Sequence, residues 1–306
     1  EKLVDELIEY VKKSNNIKKK INYRIYIDNK TNAFVSADNK MYLSSSLIEN
    51  SPDYISLLGV IAHEIGHIDL NHINQRKKSM NKIKNIQNLG TLSVIGGSLI
   101  SGSPEMLQSL VVGSGSLNNL FLNFSKDQER EADYYSIRTL KSLNKSFTSV
   151  IQLLKIIEEE AQSYGFTEEK QKYGTHPLFS ERIDILGFEE NNIEKNFNDE
   201  LNKRFLFVKS KFIGFNNKPN KCKKLKNGYR LYCESIIDAK NGNLNLSLKK
   251  MNNLINNNNT NIYLIETKAD ILYSHGFFSE ALLFYNLSIK KNPKNYYVKK
   301  RIFDIK

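Results

Sequence analysis

The sequence has no long uncharged apolar run. The chain of 306 residues is long enough for two domains, yet no stretch reaches the ~18 apolar residues that a membrane-spanning helix needs. The nearest approach is residues 89–100, where Gly and Ser interrupt the apolar residues, and a Gly/Ser-rich stretch continues to residue 122. We therefore expect no membrane span. We interpret residues 89–122 as a partly ordered lid, although a core helix pair or a membrane-touching surface would show the same composition.

Cysteine is also scarce. Cys222 and Cys233 could pair in an oxidising compartment, but two cysteines alone do not identify a compartment. The chain starts at Glu1 without a methionine, which is the start that a removed signal peptide or a trimmed chain would leave.

Acidic residues are few in the C-terminal part. Residues 191–306 carry 22 Lys and Arg against 9 Asp and Glu, whereas residues 1–190 carry 23 against 24. The excess is either compositional drift or a basic surface that attracts acidic protein segments or anionic lipid. The basic residues do not alternate regularly with aromatic residues, and we expect no nucleic-acid partner.

The most informative motif is HEIGH at residues 63–67. In an α-helix, residues four apart share a face, so the imidazoles of His63 and His67 can converge on one metal ion with Glu64 beside them. Zinc favours such ligands, and a catalytic zinc keeps one position open for water. Glu64 would then take a proton from that water. The preceding Ser51 and Pro52 predict an N-cap and a first helical residue for this helix.

A catalytic zinc needs a third protein ligand. His72 follows His63 by nine residues, roughly half a helical revolution away from the metal face, so we interpret it as a solvated or supporting histidine. The candidate ligand is Glu129, and Asp133 shares its face at four-residue spacing. Asp133 could accept a hydrogen bond from a ligand histidine. We interpret Glu131 as an acidic residue in a first helical turn.

Four segments together resemble the zinc metallopeptidases of family forty-eight, which include HtpX, the CAAX prenyl protease and the soluble periplasmic BepA type. They are NAF at 32–34, HEIGH at 63–67, EREAD at 129–133 and THPLFSERI at 175–183. HtpX and the prenyl protease carry long transmembrane helices, so the sequence resembles the BepA-like branch more than these two. The resemblance covers about residues 1–190 and implies an α+β fold: a mostly helical, gluzincin-type metallopeptidase domain with a small β-sheet. It implies that His63, His67 and Glu129 bind one Zn²⁺ and that Glu64 is the general base. Asp133 and Arg182 would support the ligands.

His176 lies in the His-Pro element of the same resemblance. Proline restricts the preceding residue to extended conformations, which would fix its direction. His176 could act as a fourth zinc ligand that blocks the resting enzyme, or as a catalytic proton donor to the oxyanion. A structural role at the start of a helix over residues 178–186 is the third alternative.

Residues 191–306 predict an all-α module. Residues 266–295 resemble a tetratricopeptide repeat, with Gly276 at the turn between two helices and Ala281 allowing close packing. A weaker copy, with Ala239 and Gly242, precedes it at residues 231–254. We expect a metallopeptidase domain at 1–190 and a repeat domain at 191–306. Upstream of the zinc motif, we expect a helix at residues 3–13 and a small antiparallel or mixed sheet.

The function that this sequence predicts is zinc-dependent endopeptidase activity. The resemblance implies a periplasmic location, unfolded or misassembled envelope proteins as substrates, and contact of the repeats with outer-membrane assembly machinery. Peripheral membrane contact is a further possibility. The alternative is a chaperone-like protein that binds clients while its proteolysis is suppressed.

Overall fold

The computed structural model describes residues 1–76, 78, 115–164, 179–189, 197–257 and 261–306. The chain forms two compact units, Glu1–Phe205 and Leu206–Lys306. The described part is mostly helical with one small sheet, which confirms the α+β class.

The first unit contains a three-stranded sheet, and most of its described residues lie in helices. Its strands are β1 (Asn22–Tyr26), β2 (Ala33–Val35) and β3 (Lys40–Ser44). Its helices are α1 (Lys2–Ser14), α2 (Ser45–Asn50), α3 (Tyr54–Asp69), α4 (Gly115–Ser142), α5 (Thr148–Ser163) and α6 (Phe179–Glu189). The next helix, α7 (Asp199–Phe215), contains the division between the units.

The sheet is mixed, with strand order β1-β3-β2. Strand β1 pairs parallel to β3, with Arg24 opposite Tyr42, and β2 pairs antiparallel to β3, with Phe34 opposite Tyr42. The Phe34 and Tyr42 rings stack at 5.0 Å. Strand β2 also contacts α3, so the sheet has one edge beside the helix that carries the HEIGH motif.

Helix α3 is the centre of the first unit and is buried along most of its length. Its N-cap is Asp53, whose carboxylate accepts hydrogen bonds from the backbone amides of Ile55 and Ser56. The sequence prediction of Ser51 as N-cap and Pro52 as the first residue is wrong. Ser51 instead follows the short helix α2, and its hydroxyl donates to the carbonyl of Leu47. Asp53 is preferred because it caps two amides at once.

Two glycines let other helices approach α3 closely. A Cβ on Gly59 would lie 2.7 Å from Cγ2 of Val150 in α5, and a Cβ on Gly66 would lie 3.0 Å from Cβ of Tyr135 in α4. The hydroxyl of Ser136 in α4 also donates to the carbonyl of Gly59 at 2.8 Å. These contacts set the distance between α3 and its neighbours.

The second unit is all-α in its described residues. Its helices are α8 (Pro219–Lys223), α9 (Asn227–Lys240), α10 (Leu244–Asn257), α11 (Ile262–Ser274), α12 (Phe278–Lys291) and α13 (Tyr296–Ile305). Helix α9 packs on α10, and α11 packs on α12. Gly242 and Gly276 occupy the turns of these two hairpins with φ of 82° and 81°, a conformation that glycine adopts without strain.

Three apolar clusters hold the second unit together. One joins α9, α10 and α11 around Tyr232, Met251 and Leu264, and another joins α11, α12 and α13 around Tyr285 and Val298. Cys222 and Cys233 are thiols in the third cluster. The hairpins have the helix-turn-helix form that the sequence pattern predicts, while their assignment as tetratricopeptide repeats stays a prediction.

The predicted lid at residues 89–122 lies largely outside the described residues, and only its backbone from Gly115 onward is described, as the start of α4. Among the described helices, none combines the length and apolar character that crossing a membrane requires.

The contact at Gly59 generates a stability prediction. Gly59→Ala should destabilise the first unit by roughly 1–3 kcal/mol, because the added methyl group collides with the stiff side chain of Val150. Gly187→Ala is the matched control: nothing lies within 4 Å of its added Cβ, and alanine favours a helix over glycine by up to about 1 kcal/mol. Thermal and urea unfolding followed by circular dichroism measure both. Equal midpoints for the two variants would contradict this packing.

Candidate metal centre

Three buried side chains place ligand atoms around one point. His63 and His67 extend from α3, and Glu129 extends from α4. Their ligand atoms all lie within 4.8 Å of one another, and each residue is about 3% exposed. The structure thus brings together the three residues that the sequence analysis selected as ligands, across the contact between α3 and α4.

The distances between these atoms fit a tetrahedral metal ion. Nε2 of His63 lies 3.1 Å from Nε2 of His67 and 3.3 Å from Oε2 of Glu129, and Nε2 of His67 lies 3.5 Å from Oε1 of Glu129. Zinc bonds to nitrogen and oxygen of ~2.1 Å imply tetrahedral edges of roughly 3.4 Å. The two imidazoles and the carboxylate therefore have both the chemistry and the spacing to hold such an ion.

Asp133 and Arg182 fix the ring of His63 on the side of Nδ1, away from the ligand cluster. Nδ1 of His63 lies 2.9 Å from Oδ1 of Asp133. Because a carboxylate only accepts, this nitrogen is the donor and Nε2 presents its lone pair to the ligand cluster. Arg182 in α6 donates from Nε to both carboxylate oxygens of Asp133 at 3.0 Å, which fixes the carboxylate.

The buried charges favour a cation between the two histidines. Burial and Arg182 act to lower the pKa of His63, but Asp133 and Glu129 outweigh them and raise it to about 9. Burial lowers the pKa of His67 to about 3. Burial acts to raise the pKa of Asp133, but Arg182 and His63 hold it below its ordinary value. A metal ion would supply this positive charge in place of a proton.

Glu129 is also anchored by an arginine that sequence reasoning missed. Nη2 of Arg76 lies 3.0 Å from Oε1 of Glu129, and Nε of Arg76 donates to the amide oxygen of Gln128. The guanidinium orients the carboxylate towards the histidines. A single arginine nine residues after the histidine motif carries no sequence signal that would have identified it.

His72 and Glu131 differ from their sequence interpretations. His72 is fully buried, with Nδ1 2.9 Å from Nδ1 of His67 and Nε2 2.9 Å from Oε2 of Glu131. His72 is not on a continuation of α3: the helix ends at Asp69, and Asn71 adopts φ of 61°, which changes the direction of the chain before His72. Of the two alternatives left open for His72, the solvated one is wrong. A first-turn role for Glu131 is also wrong, because α4 begins upstream at Gly115.

Glu64 is buried beside the ligands, 2% exposed. It does not belong to the group of three whose ligand atoms converge, which agrees with a role other than metal binding. His176 lies outside the described residues, so its blocking, catalytic and structural alternatives stay predictions.

The site generates a metal-binding prediction. Glu129→Gln should weaken metal binding by more than the roughly 100-fold that supporting residues contribute, because a neutral amide is a poorer donor to a dication. The control is Asp127→Asn, an exposed acid on the same helix that pairs with Arg130, which should leave affinity unchanged. Metal content after dialysis and competition with a chromophoric chelator measure the effect. A fully loaded Glu129→Gln protein would remove Glu129 from the ligand set.

Comparison with known proteins gives a family match over the part of the chain that carries this site. The model of peptidase family M48 matches residues 1–188. The metalloprotease LoiP of Escherichia coli (strain K12) is 31% identical over 166 residues, which cover 53% of this chain and 60% of LoiP. The metalloprotease YcaL of the same organism is 26% identical over 162 residues, 53% of this chain and 59% of YcaL.

A third relative is the beta-barrel assembly-enhancing protease of Yersinia pestis, 22% identical over 206 residues, 67% of this chain and 41% of that protein. The chain thus spans about 60% or less of the length of these curated relatives. Because the family model covers well over half of the chain, and its match begins at the first residue and includes every ligand candidate, the chain belongs to peptidase family M48.

Proposed function

We propose that this chain is a zinc-dependent endopeptidase, with His63, His67 and Glu129 as zinc ligands and Glu64 as general base. The observation that carries the proposal is the convergence of two imidazole nitrogens and a carboxylate at tetrahedral spacing, next to a buried glutamate. A purely structural zinc is less consistent with this site, because a closed structural site has four protein ligands.

The residues divide the chemistry of peptide hydrolysis between them. A bound zinc ion supplies a Lewis acid that acidifies a water molecule and polarises the scissile carbonyl. Glu64 accepts the proton of the attacking water and delivers it to the leaving amine. Asp133 and Arg182 keep the ring of His63 oriented while the charges in the site change. Burial of Glu64 in this low-dielectric site keeps bulk water from competing for the proton.

The proposed substrate is an extended polypeptide segment. Within the described residues, β2 is paired on one side only, with β3, and it contacts the zinc helix α3. A peptide that adds to such an edge as another strand would extend beside α3, the helix that carries two of the proposed ligands. This mode of binding favours unfolded or exposed segments over intact folds.

The proposed clients are unfolded or misassembled envelope proteins, with the protein in the periplasm. This part of the proposal is supported by the name of one relative, a beta-barrel assembly-enhancing protease. On the basis of the same relative, we propose that the second unit contacts outer-membrane assembly machinery.

The second unit offers a surface for such clients. A cavity of about 470 Å³ lies among α7, α9, α11, α12 and α13, and it is lined by Phe215, Lys240, Tyr273, Tyr297 and Arg301, among others. The guanidinium of Arg301 lies 4.8 Å from the centre of the Tyr273 ring and 5.2 Å from that of Tyr297. Its Nε donates to the hydroxyl of Tyr297 at 3.2 Å. This stacking holds one cationic group in a fixed position.

Charge indicates what this cavity would bind. Residues 206–306 carry 19 Lys and Arg against 6 Asp and Glu, a net charge of +13. The acidic residue in the cavity, Asp270, already accepts hydrogen bonds from Tyr285 and Tyr297 at 2.7 Å and pairs with Lys211 at 3.7 Å. An acidic segment of an extended client is therefore the complementary ligand.

The same surface supports the second candidate function, a chaperone-like protein that holds clients while proteolysis is suppressed. The two functions differ in whether they require Glu64 and the metal ion: hydrolysis requires both, and holding a client requires neither. A chaperone would protect a denatured protein from aggregation equally well after chelation, whereas an endopeptidase would lose its activity.

The first prediction from this mechanism concerns Glu64. Glu64→Gln should retain zinc and the fold, because the three ligands are unchanged, and should lose casein hydrolysis by at least the ~10²-fold typical of a lost general base. Zinc content, circular dichroism and a casein assay with and without chelator test it. Wild-type rates in the zinc-loaded variant would remove Glu64 from the mechanism.

The second prediction concerns Arg301. Arg301→Ala should lower kcat/KM for casein about tenfold, since a charge-assisted hydrogen bond contributes about 1.5 kcal/mol, and should leave a short neutral peptide unaffected. Lys299→Ala is the control, because Lys299 is an exposed cation on the same helix outside the cavity lining. An equal loss on both substrates would mean that the second unit acts structurally instead of binding clients.

A further inference from the structure

The two histidines of the metal centre are held by different kinds of partner. His63 contacts a buried carboxylate, Asp133, whereas His67 contacts another histidine, His72. The His67 and His72 rings meet edge to face, with centres 5.0 Å apart and planes at 74°. His72 in turn reaches Glu131, so a chain of three side chains runs outward from the metal centre.

The hydrogen-bond roles along this chain follow from its outer end. A carboxylate only accepts, so Nε2 of His72 donates to Oε2 of Glu131. A neutral His72 then has its lone pair on Nδ1, which accepts from Nδ1 of His67 at 2.9 Å. His67 therefore carries its proton on Nδ1 and presents the lone pair of Nε2 to the ligand cluster. Reversing any one of these roles would leave two donors or two acceptors facing each other.

The two ends of the chain lie in different surroundings. His72 is fully buried, whereas the side chain of Glu131 is 60% exposed. Glu131 lies in α4, two residues from the ligand Glu129. Glu129 and Asp133 are on the side of α4 that faces the metal centre. Glu131 is on a different side of the helix. His72 thus connects an exposed carboxylate to the buried ring of His67.

We propose that His72 and Glu131 are positioning residues that hold His67 in the tautomer and ring orientation needed for zinc binding. The inference rests on the zinc site of the proposed function. It assigns to His67 the kind of support that Asp133 and Arg182 give to His63, with a neutral imidazole as the direct contact and an exposed carboxylate behind it. Partners of this type contribute roughly 10- to 100-fold to metal affinity.

The test measures zinc affinity of the full chain. The dissociation constant is obtained by competition with a chromophoric chelator, and the absorption spectrum of the cobalt-substituted protein reports ligand geometry. Glu131→Ala should weaken zinc binding about tenfold and alter the cobalt spectrum. Glu131→Gln keeps an oxygen that can accept from His72 and should restore most of the affinity. His72→Phe fills the same space without hydrogen bonds and should weaken binding roughly 10- to 100-fold.

The matched control is Asp127→Ala, which removes one exposed acidic group from the same helix and should leave both measurements unchanged. Zinc affinities of Glu131→Ala and His72→Phe within twofold of wild type would overturn the inference. If His72→Phe does not fold, the zinc affinity of Glu131→Ala still tests the inference, because Glu131 is exposed and its substitution leaves the core unchanged. A wild-type chain that binds no zinc would instead refute the proposed function, so the two failures are distinguishable.

Discussion

The close packing of α3 against α4 is the constraint on which the metal centre depends. Gly66, inside the histidine motif, lies against Ala132 and Tyr135, and a Cβ at this position would come within 3.0 Å of Tyr135. Because Gly66 and Ala132 are small, the two helices can approach each other, and His63 and Asp133 meet at 2.9 Å although they are 70 residues apart in sequence. A larger residue at position 66 would push α4 away and take Glu129 and Asp133 with it.

Burial explains why each charged group of the centre has a partner. An ion taken out of water costs several kcal/mol unless another charge or hydrogen bond compensates it. Glu129 contacts Arg76, and Asp133 contacts Arg182 and His63. The network is costly to assemble, and the rest of the first unit stabilises it through the apolar surroundings of α3. Because of these contacts, the ligand atoms are already oriented before an ion binds.

The two units differ in charge as clearly as in architecture. All of the excess positive charge belongs to Leu206–Lys306, whereas the metal centre lies in Glu1–Phe205. In the proposed function, the first unit performs hydrolysis and the second attracts acidic client segments. The fixed position of Arg301 against Tyr273 and Tyr297 gives that attraction a defined location, because a cation held by stacking loses little entropy on binding.

The sequence by itself determined the features that depend on local spacing. Four-residue spacing on one helix brings His63 and His67 together, and the pattern around Gly242 and Gly276 predicts helical hairpins with a tight turn. The family, the α+β class and the presence of a small sheet were also predictable, and the structure decided that the sheet is mixed and not antiparallel. The domain division at residue 190 and the role of His176 stay predictions. The N-cap at Asp53 is a local contact with the amides of Ile55 and Ser56, whereas tertiary structure decided the orienting contact of Arg76 and the places of His72 and Glu131. These depend on where one helix ends and which distant side chain packs against it, and a single left-handed residue, Asn71, redirects His72 in a way that helical periodicity cannot foresee.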